Sequence, residues 1–427
     1  MHPIPLQDSK FTLDASGVAG FFGGDEAVSA MATVHVYEGR QWLGWYNSPG
    51  AYEIGKRYGQ LANSRFWDGL FPGANLDPAV LFELDGLKGP EYKSFSSGTI
   101  LPHTGHIGSL FTTACEEVEG VTVPGRQSRS TWVTVAELNH TPPHTMNPRR
   151  LRTYSPLFAS IPIGASVITC VLCGFFEDWY SFSMILLGIV SSGFACYTIG
   201  SGKFTFSHPK PAAGAPKGDG LMFADTGIIV VKGAEAAVNA VTRGRFSLEF
   251  KSAPVYRNIG LCSMLLTLQF VAQLLLIPQG TLFGQLMFVA SLGVSWMYNS
   301  YLSSLEKERV QTDILMEHVL HKPPMKKYIF GTRTTMAVFV VLVLDPADPI
   351  KTLREIIPND TKVWKTWREM VGERIGNREK LEHDSLMIDC NFDGLAEDER
   401  KLMGDLLQDS ETGYGAYLQH SGSVLNV

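Results

Sequence analysis

Gln269 and Gln273 lie four residues apart in a stretch, Asn258 to Leu305, that contains no charged side chain. Ser291, Ser295, Asn299 and Ser303 repeat at the same interval further along it. Residues four apart share a face of a helix, so each set forms a polar stripe in apolar surroundings. Such groups can do one of two things. They can hydrogen-bond a neighbouring helix, worth about 0.6–2 kcal/mol each, or they can line a polar conduit for an uncharged solute. Interhelical bonding is the simpler reading and the conduit its rival. No Asp, Glu, Lys, Arg or His lies inside any of the apolar runs. That disfavours proton relays, voltage sensing and ion-coupled transport, which rely on intramembrane ionisable groups.

Other residues with chemical potential fit known sites poorly. Cys170-x-x-Cys173 has redox or zinc spacing, but it sits mid-run without a second pair or a nearby His, and reads as packing. His103-x-x-His106, Cys115 and His140-x-x-x-His144 match no common zinc signature. Gly200-Ser201-Gly202-Lys203 resembles a phosphate loop. Tyr197, however, stands where the first Gly is required, Phe204 follows the Lys, and an apolar helix rather than a strand precedes it. No Gly-x-Ser-x-Gly elbow or His-Glu-x-x-His occurs. No metal, cofactor or catalytic residue is therefore expected. Small residues recur in another stripe, Gly188, Ser192, Cys196 and Gly200, and in Ser166, Cys170 and Gly174. Such spacing lets helix backbones approach closely. It predicts packing of the first apolar helix on the second, with a homo-oligomer contact as the rival.

The elements that must position these residues follow from charge. The chain has 427 residues, 18% of them charged, a net charge of -6 and a pI near 6.0. An average domain carries roughly 25% charge. The balance excludes binding to nucleic acid driven by net positive charge, and the composition excludes a collagen or a wholly disordered chain. The charge deficit is local. Ser155 to Phe176 and Trp179 to Gly202 are uncharged, and Pro278-Gln279-Gly280 divides the third run into about Ile259 to Ile277 and Leu282 to Leu302. A helix crossing a bilayer needs about 20 apolar residues, so freedom from charge predicts four transmembrane helices in two hairpins. Arg149, Arg150, Arg152, Lys203, Lys210, Lys217, Lys251, Arg257, Lys307 and Arg309 all flank the same side, which the positive-inside rule makes cytoplasmic, with both termini there. Tyr154, Trp179, Tyr180, Tyr197, Trp296, Tyr298 and Tyr301 suit an interfacial belt. Met1-His2-Pro3-Ile4-Pro5 has no signal-peptide pattern, so insertion is expected from an internal segment.

The remaining chain divides by composition. Residues 1–150 are expected to be a partly disordered cytoplasmic region, with a strand at Met31 to Tyr37, a turn at Asn47-Ser48-Pro49-Gly50, a helix at Tyr52 to Ala62 and a strand at Ser130 to Ala136. Residues 151–202 form the first hairpin and 258–305 the second. Between them, 203–257 reads as a basic strand–helix–strand loop: Gly227 to Val231, Ala234 to Val241, Phe246 to Phe250. In 306–380, Thr334 to Leu344 is too short to span a membrane, and its β-branched content predicts a buried strand. That strand would pair with Gly227 to Val231 and Phe246 to Phe250. Helices are expected at Pro349 to Ile357 and Thr361 to Ile375. Residues 381–427 read as an acidic tail with one helix, Leu395 to Leu407.

Tyr256 to Glu308, and Asn147-Pro148-Arg149-Arg150-Leu151-Arg152 leading into the first apolar run, resemble uncharacterised multi-pass membrane proteins of filamentous fungi. The resemblance covers roughly residues 146 to 344. It implies a multi-pass topology and no catalytic residues.

The expected fold is thus a membrane all-α core of four helices with a small cytoplasmic α/β unit and a loosely ordered N-terminal region. The expected function is a non-enzymatic anchor or scaffold with the lipid bilayer as partner and no nucleic acid. The alternatives are an oligomeric channel or transporter for an uncharged solute, using Gln269, Gln273, Ser291, Ser295 and Asn299, and a membrane-bound enzyme acting on lipid.

Overall fold

The computed structural model describes residues 5–6, 23–62, 66, 70–71, 77–151, 155–250, 253–377, 386 and 396–424. Arg152, Tyr154, Lys251 and Cys390 lie outside the described residues, as does most of the stretch 378–395. The chain divides into two units, each drawn from three stretches. The first is Met1–Gly86, Thr145–Ser207 and Arg245–Ile314; the second is Leu87–His144, His208–Gly244 and Leu315–Val427. The described strands are β1 (Glu91–Ser94), β2 (Ile100–Leu101), β3 (Gly120–Thr122), β4 (Thr131–Leu138), β5 (Thr145–Met146), β6 (Lys203–Ser207), β7 (Gly220–Phe223), β8 (Gly227–Gly233), β9 (Arg245–Glu249) and β10 (Met325–Phe330).

The first unit is a helical bundle: α1 (Gly24–Val36), α2 (Ala51–Leu61), α3 (Ser160–Phe175), α4 (Trp179–Gly200), α5 (Ala253–Leu276) and α6 (Leu282–Ser304). Among the described residues, three stretches are long and apolar enough to cross a membrane: Leu157–Phe175, Trp179–Gly200 and Arg257–Gln279. They keep large apolar side chains on the outside, among them Ile161, Ile168, Val171, Leu268 and Leu275, as a lipid-facing surface requires. The expected core of four transmembrane helices is therefore corrected to three candidate spans. The expectation rested on absence of charge, which is not the same as apolarity. In α6, Gln285, Tyr298, Asn299 and the serines lower the hydropathy. Its buried stripe of Gln285, Phe288, Ser291, Leu292, Ser295 and Asn299 faces α1, α3 and α4.

The predicted strand Met31 to Tyr37 is instead the second half of α1. Nearly every residue of that helix is buried, so neither of its faces is polar and no helical period shows. The predicted helix at Tyr52 to Ala62 is present as α2. A three-stranded antiparallel sheet, β5–β6–β9, joins the chain entering α3, leaving α4 and entering α5. The chain leaving α6 returns to the same end. The helix Lys307–Ile314 that follows pairs Lys307 with Glu83, and Gln311 Nε2 donates to Leu84 O at 3.0 Å; the neighbouring turn Pro78–Leu81 packs on β9. At the far end one carboxylate ties the two links. Asp178 caps α4 by accepting from Ser181 N (3.0 Å), and accepts from Thr281 N (2.8 Å) and Oγ1 (2.6 Å). Thr281 in turn caps α6.

The second unit is a seven-stranded mixed sheet, ordered β2-β1-β7-β8-β4-β10-β3, with β4 parallel to β8 and antiparallel to β10. A sheet of this size replaces the small α/β unit expected, and it takes β1–β4 from the N-terminal region expected to be loosely ordered. Thr334 to Leu344 is not a strand but α7 (Arg333–Leu344), capped by Thr332 and ended by Asp345 in the left-handed region at φ 53°. It lies on Val133, Val135, Ile228 and Val230 of the sheet. A helix covered on all sides is apolar all round, which is why its sequence cannot be told from a buried strand by periodicity. The helices α8 (Pro349–Ile356) and α9 (Lys362–Gly376) fall where predicted. Beyond them, α10 (Glu397–Val424) extends far past the short acidic helix expected. It packs on α7 through Met403, Leu406 and Tyr414. The expectation that Phe246 to Phe250 shares one sheet with Gly227 to Val231 is also corrected, because β9 belongs to the bundle's own sheet.

Candidate functional site

The polar stripes converge on a segment that periodicity did not single out. Gly39 and Gly50 bound it with φ of 80° and 75°, a conformation open chiefly to glycine. Between them the chain runs irregularly through the bundle interior. Non-helical backbone at membrane depth is tolerated only where protein covers it, and Arg40, Tyr46, Asn47 and Ser48 are all buried.

Tyr46, Asn47 and Ser48 each meet a predicted polar position. Asn47 Nδ2 donates to Ser291 Oγ at 2.8 Å, and Asn47 N donates to Ser166 Oγ at 2.9 Å. Gln273 Nε2 donates to Met184 O at 3.2 Å and to Asn47 Oδ1 at 3.5 Å, and Gln269 Nε2 reaches Gln273 Oε1 at 3.3 Å. Tyr46 OH donates to Asn299 Oδ1 at 2.8 Å, and Asn299 Nδ2 donates to Ser48 Oγ at 3.1 Å. The structure thus brings Gln269, Gln273, Ser291 and Asn299 into one network. Ser295 is buried nearby on α6, but its hydroxyl has no partner, and neither does Gln269 Oε1.

The small-residue stripe of α4 serves the same segment. A Cβ on Gly188 would lie 2.0 Å from Asn47 Oδ1, and one on Gly200 would lie 2.4 Å from Gln41 Cβ. Cys196 receives the close approach of Gly44, whose own Cβ would fall 2.3 Å from Cys196 Cβ. Beside Ser192, Gly193 faces Trp45. The stripe is therefore a packing surface, as its spacing predicts, but for residues 41–47 rather than for α3. Being covered, it is not open to a second copy of the chain. Cys170 and Cys173 pack with Met184, Ile185 and Phe288.

Arg40 is the cation of this interior. It is fully buried, and its guanidinium donates to Leu43 O (2.9 Å), Tyr46 OH (3.0 Å) and, weakly, Cys196 Sγ (3.7 Å). It also lies over the rings of Tyr46 and Tyr298 at 5.9 and 5.4 Å, cation–π contacts worth about 0.5–2 kcal/mol each. Among the described residues no carboxylate pairs with it. Arg40, Tyr46 and Asn47 were missed because Asn47-Ser48-Pro49-Gly50 reads as a surface turn. The available signal was three glycines, Gly39, Gly44 and Gly50, interleaved with Trp42, Trp45 and Tyr46.

The histidines and Cys115 do not assemble. His106 opens the helix His106–Glu117, His140 stacks on His321 at 3.9 Å, and His144 meets His208 at 5.8 Å. Burial pushes the Cys115 thiol well above its ordinary range. Among the described residues no three His, Cys, Asp or Glu lie together as metal ligands. Gly200 to Lys203 leads from α4 into β6, with Arg150 donating to Gly202 O at 3.1 Å. Comparison with family models, with curated proteins and with solved structures finds no match to this chain.

Proposed function

We propose that this chain is an integral membrane protein whose bundle anchors the seven-stranded unit at the cytoplasmic face, a non-enzymatic scaffold. One observation carries the reading. The hydrogen-bonding groups of Gln273, Ser291 and Asn299 are engaged by Tyr46, Asn47 and Ser48 of the chain itself, whereas a conduit would turn them toward a solute. The orientation rests on two features. The stretches before α3, between α4 and α5, and after α6 all contribute strands to one sheet, so all three belong on one side of a bilayer, with α6, covered by α1, α3 and α4, returning the chain that α5 carries across. The basic flanks Arg149, Arg150, Lys203, Lys210, Lys217, Arg257, Lys307 and Arg309 favour the cytoplasmic side, and with it both termini.

Two experiments test this. Protease added to inside-out vesicles should cut the link 209–219, and added to right-side-out vesicles should leave it whole; the opposite pattern reverses the orientation. In liposomes, the protein should pass glycerol or urea no faster than protein-free lipid. Flux that Gln273→Leu with Asn299→Leu abolishes would establish the channel instead of the anchor.

A further inference from the structure

A cavity of about 200 Å³ opens at the edge of the second unit, where β4 and β8 begin and the turn between β7 and β8 meets the first turn of α7. Phe223 and Met336 give it an apolar floor, and two guanidinium groups, Arg129 and Arg333, line it. Arg333 is the first residue of α7. Thr332 caps that end, accepting from Thr335 N and donating to Asp409 Oδ2 at 3.0 Å, so the positive charge of the cavity comes from the two arginines. A nearby arginine shows the contrast. Arg126 is matched by Asp405 at 3.2 Å and Asp409 at 2.6 Å. Arg129 and Arg333 have no carboxylate within ion-pair distance among the described residues. Asp225 shares the lining without pairing to either. Beside it, Thr226 is held by Trp132, whose Nε1 donates to Thr226 Oγ1 at 3.0 Å.

We propose that this cavity binds a phosphate group, held by Arg129 and Arg333 at the N-terminus of α7. Two arginines far apart in the chain line the same cavity, each a separate set of donors. A carboxylate offers two oxygens in one plane and matches one guanidinium in bidentate fashion. A phosphate offers three acceptor oxygens and up to two negative charges, enough to engage both guanidinium groups. Asp225 opposes any anion, so only a group satisfying both arginines offsets it. The apolar floor suits the body of a phosphate monoester. A soluble monoester and a phospholipid headgroup share this chemistry. The proposal goes beyond the anchor reading and does not depend on the orientation of the chain.

The test uses the full chain in detergent and in nanodiscs. Phenyl phosphate is titrated calorimetrically, and phenylglyoxal modification of Arg129 and Arg333 is followed by mass spectrometry in nanodiscs of phosphatidylcholine with and without phosphatidic acid. Phenyl phosphate should bind, with Arg129→Gln or Arg333→Gln weakening it roughly 10- to 100-fold, as expected for a charge-assisted hydrogen bond. Asp225→Asn should strengthen it. Both arginines are exposed, so the variants should melt at the wild-type temperature. Protection by phosphatidic acid, without binding of phenyl phosphate, would identify the headgroup as the source. Neither binding nor protection, or binding indifferent to both arginines, would overturn the proposal.

Discussion

Gly188→Ala is expected to reverse the sign that its local structure predicts. In a helix interior, Ala is favoured over Gly by about 1 kcal/mol, and Gly293 of α6, whose Cβ would meet nothing within 4 Å, should show that gain. At Gly188 the new methyl would sit 2.0 Å from Asn47 Oδ1. An ordinary contact needs well over an ångström more. Asn47 cannot yield that distance while its side chain bonds Ser291 and Gln273 and its backbone bonds Ser166. Losing the two side-chain bonds costs about 1–3 kcal/mol, and overpacking adds about 1–3 kcal/mol. After the helix gain, the net loss is about 1–5 kcal/mol. Unfolding in mixed micelles, followed by tryptophan fluorescence, measures this for Gly188→Ala, Asn47→Ala and the pair. Asn47→Ala alone should cost about 2 kcal/mol. The double variant should be more stable than the sum of the single effects by at least about 1 kcal/mol, the signature of residues in contact. A Gly188→Ala protein as stable as wild type, or strictly additive effects, would show that residues 39–50 do not occupy the bundle interior.

Asp178→Ala removes a helix cap and both bonds from Thr281, and should cost about 3–5 kcal/mol; a melting temperature unchanged in detergent would contradict the bridge between the two links. Arg40→Met keeps much of the volume and deletes a buried cation without a carboxylate, so it should change stability by less than about 1 kcal/mol or raise it, whereas Arg40→Ala, which also opens a cavity, should cost about 2–5 kcal/mol. Comparing the two melts separates charge from packing. In the second unit, burial first, then Lys326, holds the His420 imidazole below its ordinary value of 6.5, so that it is a neutral ring sharing a hydrogen bond of 2.9 Å between its Nδ1 and Tyr328 OH. Because the folded value is depressed, the unfolded chain takes up the proton first as pH falls. Its contribution is complete above about 6.5 and is lost on acidification below that. His420→Gln should flatten the stability profile between pH 7 and 5, and an unaltered slope would refute it.

Legibility in the sequence followed the solvent contrast each residue meets. The candidate spans at Leu157–Phe175, Trp179–Gly200 and Arg257–Gln279 and the amphipathic helix Lys362–Gly376 were readable because lipid or water lies on one side of them. So were β4 and β8, short runs bounded by turns. The failures share a cause. α1 and α7 are buried on every side, so neither shows a period, and each was taken for a strand. Freedom from charge overcounted the spans because α6 hides its polar stripe against protein rather than lipid. The polar stripes themselves, Gln273, Ser291 and Asn299 among them, were visible as a spacing of four in uncharged sequence. Their partner was not, because residues 39–50 carry the composition of a surface turn and only the tertiary structure buries them.

The interleaving of the two units dictates an order of synthesis. Each takes three separate stretches of chain, so neither is complete when its first stretch leaves the ribosome. β4 lies between β8 and β10; the first of these emerges after α4 and the second only after α6. Until then β4 presents an unpaired edge, a template for association with other chains, and α7, which covers its Val133 and Val135, has not been made. Stretches so far apart in sequence pair slowly because loop closure must come first. Insertion of the apolar helices therefore precedes closure of the sheet. A chain stopped before residue 325 would hold the described apolar helices and an unfinished sheet, with β4 still open along one edge.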